Sequence, residues 1–75
     1  MKRILFVEDD SSLISGLSFA LKKQGYEIDI ARTGMEAGQL WQNGTYALVI
    51  LDVSLPDSTG YDLCRKIRET SRVPI

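Results

Sequence analysis

Short apolar runs alternate with helix-forming segments along this chain, and that alternation limits its possible folds more than any other feature of the sequence. The runs that predict strands are Arg3 to Val7, Tyr26 to Ala31 and Thr45 to Asp52. The first and third are almost continuously apolar, which is typical of strands buried on both faces of a parallel sheet. The second alternates polar and apolar residues, as a strand near a sheet edge does.

The segments that follow these runs have the apolar spacing and the end signals of helices. The first begins where Asp10 or Ser11 can cap a helix and ends at Gly25, a residue suited to a left-handed terminus. In the second, Thr33 and Glu36 have the spacing of a capping box. The third covers residues 57–72, and we expect its apolar positions to face inward: Leu63, Cys64 and Ile67.

The resulting order is β-α-β-α-β-α, and Val73 to Ile75 resemble the start of a fourth strand. Strands that alternate with helices predict an α/β fold with a parallel sheet and helices on both of its faces. The 75 residues are enough for one small domain, so we treat residues 1–75 as a single unit.

Composition and charge exclude several classes of protein. The net charge of −1 gives no indication of general affinity for nucleic acid or membranes. The single cysteine, Cys64, cannot form an internal disulfide, which suits a reducing compartment. The N-terminus lacks the apolar stretch of about 7–15 residues that a signal peptide requires. We therefore expect a cytoplasmic protein.

Acidic residues end two of the predicted strands. Glu8, Asp9 and Asp10 follow the first strand, and Asp52 closes the third. In open parallel sheets, ligands bind outside the carboxyl ends of the strands, at the point where the strand order reverses. If the third strand lies beside the first, about 4.8 Å away, then Glu8, Asp9 and Asp52 converge on one shallow pocket.

Carboxylates this close repel one another, so they need either raised pKa values or a cation. Oxygen ligands without His or paired Cys select Mg²⁺, Mn²⁺ or Ca²⁺ over Zn²⁺. A Mg²⁺ site of this kind is typical of phosphoryl chemistry, and an aspartate can accept a phosphoryl group as an acyl phosphate. Asp52 is the candidate acceptor. Taken alone, however, Asp52 is an ordinary turn or cap residue, and the acids of residues 8–10 form an ordinary helix-capping segment.

The sequence resembles the receiver domain of bacterial two-component response regulators along all 75 residues. The motifs that carry the resemblance are the run ILFVEDD, the later run LVILDVSLPDSTGYDLCRKIR, and the final VPI. Within them, Leu55-Pro56-Asp57 and Gly60 follow the candidate acceptor. Val53 is a mild departure, because family members often have Met or another large apolar residue after the acceptor.

The resemblance implies a flavodoxin-like (CheY-like) doubly wound parallel sheet. It implies that a sensor histidine kinase donates a phosphoryl group to Asp52, and that Mg²⁺ is held by Glu8, Asp9, Asp52 and the backbone carbonyl of Ser54. It also implies a phosphoacceptor that is not a turnover enzyme. The sequence is similar to those of regulators that carry a DNA-binding output domain.

A complete receiver has five βα units in the strand order 2-1-3-4-5, and this chain has three. The resemblance therefore implies a truncated receiver without the family's hydroxyl residue after strand 4 and Lys after strand 5. Truncation leaves an apolar edge on strand 3, which could pair with another chain. We expect impaired phosphorylation and a symmetric homodimer that covers this edge through the residues near Val73–Ile75.

Two other classes of function stay open on the residues alone. A binding-only module would occupy the dimerisation surface of an intact regulator, and its binding would depend neither on Mg²⁺ nor on Asp52. An enzyme on the same topology is less favoured. Aspartate phosphatases use a second acid two positions after the nucleophile, where this chain has Ser54, and acids 8–10 would repel the phosphate of a flavin.

Overall fold

The computed structural model describes residues 2–75 and confirms the predicted order of elements. The strands and helices, in chain order, are β1 (Arg3–Val7), α1 (Ser11–Lys23), β2 (Glu27–Ala31), α2 (Gly34–Asn43), β3 (Leu48–Leu51) and α3 (Gly60–Arg68). None of the helices in the described part of the chain is long and apolar enough to span a membrane.

The three strands form a parallel sheet in the order β2-β1-β3. Phe6 of β1 lies opposite Ile30 of β2 and Ile50 of β3. The central strand is the most deeply buried, since Ile4 to Val7 are each at most 1% exposed. The order confirms the prediction that β1 and β3 are neighbours, with β2 on the far side of β1.

Helices lie on both faces of the sheet. Leu5 and Val7 point to one face, where a buried cluster joins them to Ala37 of α2 and to Leu63 and Ile67 of α3. Ile4 and Phe6 point to the opposite face because side chains alternate along a strand. Helix α1 packs against β2 and buries Ile14 there.

The helix ends follow the local sequence signals. The Asp10 carboxylate accepts hydrogen bonds from the amides of Ser12 and Leu13 (2.9 and 3.2 Å), so Asp10 is the cap of α1. The chain leaves α1 through Gly25, whose φ of 95° suits glycine. Thr33 and Thr59 cap α2 and α3 through their hydroxyl groups.

Some details of the sequence prediction are wrong. Strand β3 has four residues and not eight, and only Val49 in it is fully buried. Cys64 is half-buried and does not lie in the core. Residues 73–75 do not form a strand, although the Val49 amide donates a 2.9 Å hydrogen bond to the Pro74 carbonyl. The edge of β3 is therefore covered at one point by the chain itself.

Candidate metal and phosphoacceptor site

Three carboxylates meet at the carboxyl end of the sheet, as the sequence predicts. Glu8 and Asp9 follow β1, and Asp52 follows β3. The Asp52 amide donates a 3.0 Å hydrogen bond to the Val7 carbonyl, which fixes Asp52 beside the end of β1. One carboxylate oxygen from each of the three acids lies within 4.8 Å of the others. The strand order therefore brings together side chains that are more than 40 residues apart in the chain.

Glu8 is the buried member of the group, with 7% of its surface exposed. Its carboxylate accepts hydrogen bonds from the backbone amides of Asp9 and Asp10 (3.0 and 3.4 Å). Burial raises the pKa of Glu8, and the nearby Asp52 carboxyl raises this pKa further, whereas the two amide hydrogen bonds lower it. Glu8 in its ionised form is thus held in an unfavourable environment that a cation would relieve.

Asp52 is half-buried and Asp9 is exposed, so the pocket opens to solvent on the side of these two residues. The Asp52 carboxylate accepts one long hydrogen bond (3.4 Å) from the Ser54 amide. Within residues 2–75, no Lys or Arg forms a salt bridge with Glu8, Asp9 or Asp52. The negative charge of the pocket is therefore not neutralised by side chains of the described segment.

The loop between Asp52 and α3 closes on itself. The Gly60 amide donates a 2.7 Å hydrogen bond to the Val53 carbonyl, and Ser54 and Thr59 form an antiparallel bridge. A Cβ atom at Gly60 would lie 2.2 Å from the Asp52 carbonyl oxygen. Only glycine can occupy this position with the loop unchanged, which explains the Gly60 of the sequence motif.

Two contacts near the site were not predicted from the sequence. The Asp57 carboxylate accepts hydrogen bonds from the Gly34 and Met35 amides at the start of α2 (2.7 and 3.0 Å). The Arg32 guanidinium donates to the Ser11 hydroxyl at 3.1 Å. Arg32 follows a strand directly, so its position at this end of the sheet could have been inferred. The Asp57 contact has no local sequence signal.

The donors present fit a hard divalent cation. They are carboxylate oxygens from Glu8, Asp9 and Asp52, in a pocket that is part buried and part open to water. Mg²⁺ prefers oxygen ligands, keeps several water molecules and is commonly bound through a few carboxylates. Asp10 is not part of the group, because its carboxylate caps α1.

A family model described as the response regulator receiver domain matches residues 4–75. The chain belongs to this family. The receiver chain is 40% identical over 73 residues to the uncharacterized transcriptional regulatory protein YclJ of Bacillus subtilis, covering 97% of this chain and 32% of YclJ.

Solved receiver structures have the same fold. The response regulator TrrA of Thermotoga maritima, in complex with Mg²⁺-BeF, is 40% identical and superposes with a TM-score of 0.90 over 96% of this chain and 63% of that one. A complex of the histidine kinase ThkA with TrrA matches at 39% identity with a TM-score of 0.89, over 99% of this chain and 64% of that one. The receiver chain spans about a third of the length of the curated relatives it matches.

Proposed function

We propose that this receiver chain is a phosphoacceptor in two-component signalling, and that Asp52 accepts the phosphoryl group. The observation that carries the proposal is the convergence of Glu8, Asp9 and Asp52 at the carboxyl ends of β1 and β3. Asp52 suits the acceptor role because it ends a strand next to solvent and its carboxylate receives only a long hydrogen bond from Ser54.

We further propose that Glu8, Asp9 and Asp52 hold Mg²⁺ together with the backbone carbonyl of Ser54. The all-oxygen donor set supports this, as does the Mg²⁺-BeF complex of the similar protein TrrA. The ion would offset the negative charge of the pocket and of an approaching phosphoryl group. Buried Glu8 is held in place by the Asp9 and Asp10 amides and so presents its carboxylate to the pocket.

The proposed donor is a phosphohistidine of a sensor histidine kinase, which the ThkA–TrrA complex of a similar protein supports. An Asp52 oxygen attacks phosphorus, the P–N bond breaks, and the departing imidazole keeps the electron pair and takes up a proton. The product is an acyl phosphate on Asp52. Because the protein itself is modified, we propose a receiver that is not a turnover enzyme.

The finer parts of the proposal concern the whole protein. Relatives named as transcriptional regulators support a parent that regulates transcription through a DNA-binding output domain. We place this receiver in the cytoplasm, where a kinase and its DNA target would both be accessible.

Homodimerisation along β3 stays a prediction, and the Val49–Pro74 hydrogen bond reduces the free edge on which it would depend.

Treatment of the chain with acetyl phosphate and Mg²⁺, followed by intact mass measurement, tests the proposal. We expect a fraction of the chain to gain one phosphoryl group, and Asp52→Asn to gain none. Asp62→Asn, which alters an exposed carboxylate on α3, is the matched control and should be phosphorylated like the wild type. An adduct of equal yield on Asp52→Asn would contradict the assignment of the acceptor.

A further inference from the structure

A carboxylate from the loop after the acceptor occupies the N-terminus of a different helix. The Asp57 carboxylate accepts hydrogen bonds from the Gly34 amide at 2.7 Å and from the Met35 amide at 3.0 Å. These are the first two amides of α2, which have no partner within the helix itself. The side-chain hydroxyl of Thr33, the helix's own cap, accepts a hydrogen bond from the Glu36 amide at 3.1 Å. Capping of α2 is thus divided between Thr33 and a residue more than 20 positions later.

The same loop is also anchored at other points. At its base, the Gly60 amide binds the Val53 carbonyl at 2.7 Å. In its middle, the Leu55 side chain is buried in the main cluster. Val53 and Ser54, by contrast, are exposed, and so is Asp57 at the far end of the loop. The Ser54–Thr59 bridge and the 3.3 Å hydrogen bond from the Leu55 amide to the Ser58 carbonyl close the loop on itself, and Asp57 ties its exposed end to α2.

The loop and α2 approach each other closely. A Cβ atom at Gly34 would lie 2.1 Å from the Ser58 hydroxyl oxygen and 3.2 Å from an Asp57 carboxylate oxygen. Glycine at position 34 permits the approach, and the positive end of the helix dipole favours the carboxylate. Two features therefore allow the contact: Gly34 on the helix has no side chain, and Asp57 on the loop has a carboxylate.

We propose that Asp57 is a positioning residue, which holds the acceptor loop against α2 and thereby fixes the Ser54 backbone beside Asp52. This inference rests on the proposed function, because the Ser54 carbonyl is a proposed metal ligand. Side chains that orient a metal ligand typically affect metal affinity by about 10–100-fold when removed. Since Asp57 acts here on one ligand of four, we expect the low end of that range.

Amide hydrogen exchange and a Mg²⁺ titration followed by NMR test the inference on the same samples. In Asp57→Ala, we expect the Gly34 and Met35 amides to exchange faster and Mg²⁺ affinity to fall by about tenfold. Asp57→Asn keeps one acceptor oxygen without the charge, so its affinity should be intermediate. If charge alone were responsible, the Asn and Ala variants would bind Mg²⁺ equally weakly, and the positioning role would be wrong.

Thr33→Ala and Asp62→Ala are the matched controls. Thr33→Ala removes the local cap of α2 without touching the loop, and Asp62→Ala removes an exposed negative charge elsewhere. Both should keep wild-type Mg²⁺ affinity. An equal loss of affinity in Thr33→Ala would show that Asp57 acts only through helix stability and would overturn the inference.

The two proposals can fail separately. If the wild type shows no Mg²⁺-dependent shifts near Asp52, the proposed function fails, whatever the exchange data show. If the wild type binds Mg²⁺ there but Asp57→Ala binds it equally well, only the positioning role fails. Unchanged exchange at Gly34 and Met35 in Asp57→Ala would also contradict it, because the contact itself would not persist in solution.

Discussion

The Gly60 amide donates a 2.7 Å hydrogen bond to the Val53 carbonyl, so the first turn of α3 rests directly against the residue that follows the acceptor. The absent side chain of Gly60 makes this possible, since a Cβ there would lie 2.2 Å from the Asp52 carbonyl oxygen. The backbone of Asp52 is consequently held from both sides, by Val7 of β1 through its amide and by the start of α3 at its carbonyl.

We predict that Gly60→Ala is strongly destabilising, because a backbone atom cannot move away as a flexible side chain can. Its cost should exceed about 2 kcal/mol in the free energy of unfolding, measured by urea denaturation. Gly16→Ala is the matched control, since a Cβ at Gly16 in α1 would meet nothing within 4 Å. That variant should gain up to about 1 kcal/mol from helix propensity. Equal stability of the two variants would contradict the close approach.

Glu8→Gln should stabilise the protein in the absence of Mg²⁺ at neutral pH. Burial and the Asp52 carboxyl raise the pKa of Glu8 in the folded state. Protonated Glu8 therefore favours folding, and this stabilisation is complete below the unfolded-state pKa and is lost as the pH rises through the folded-state pKa. Glutamine removes the ionised form, so we expect a higher thermal midpoint at pH 7.

The control for this prediction is Glu69→Gln, which changes an exposed carboxylate after α3. It should leave the free energy of unfolding within about 0.5 kcal/mol of the wild type. Saturating Mg²⁺ should raise the midpoint of the wild type more than that of Glu8→Gln. A Glu8→Gln variant that is less stable than the wild type without Mg²⁺ would show that burial of the ionised Glu8 carboxylate does not reduce stability.

Asp57 should contribute to stability in the opposite pH range. The Gly34 and Met35 amides lower the pKa of Asp57 in the folded state. Its contribution is therefore present above the unfolded-state value of about 3.9 and is lost as the pH falls through the lower folded-state pKa. We expect the wild type to be more stable than Asp57→Asn near neutral pH, and the difference to shrink in acid. A difference independent of pH would contradict this account.

Tyr46 should ionise at a higher pH than an ordinary tyrosine. Burial and its 2.8 Å hydrogen bond to the Asp29 carboxylate raise its pKa to about 12. An ultraviolet titration should therefore contain a late component that is missing in Tyr46→Phe. Loss of the hydroxyl should also reduce the free energy of unfolding by about 1 kcal/mol. Tyr61→Phe, at an exposed position, should retain the late component.

The parts of the structure predicted from sequence depend on local signals combined with topology. The caps Asp10 and Thr33 mark helix starts through their own side chains, and apolar runs mark β1 and β3. The rule that ligands bind where the strand order reverses then places Glu8 and Asp52 together. That convergence is confirmed by the geometry, whereas the roles of these residues stay predictions.

The parts that were wrong or missed depend on contacts between distant segments. Strand β3 begins only at Leu48. Two residues earlier, the buried ring of Tyr46 stacks on Trp41 and its hydroxyl donates a hydrogen bond to the Asp29 carboxylate. The capping of α2 by Asp57 joins residues more than 20 positions apart, and no spacing rule covers such a pair. Leu13 belongs to the apolar stripe of α1 yet is 52% exposed, since helical spacing cannot show which part of a stripe is covered.

The central claim is that Glu8, Asp9 and Asp52 form one site for a divalent cation. Mn²⁺, which prefers similar ligands, broadens the NMR signals of nearby amides and so reports where it binds. At substoichiometric Mn²⁺, we predict selective broadening of the amides of residues 8–10 and 52–54 together, and its loss in Asp52→Asn. Broadening centred elsewhere, for example on Asp62 or Glu69, or broadening at residues 8–10 that survives in Asp52→Asn, would contradict the account.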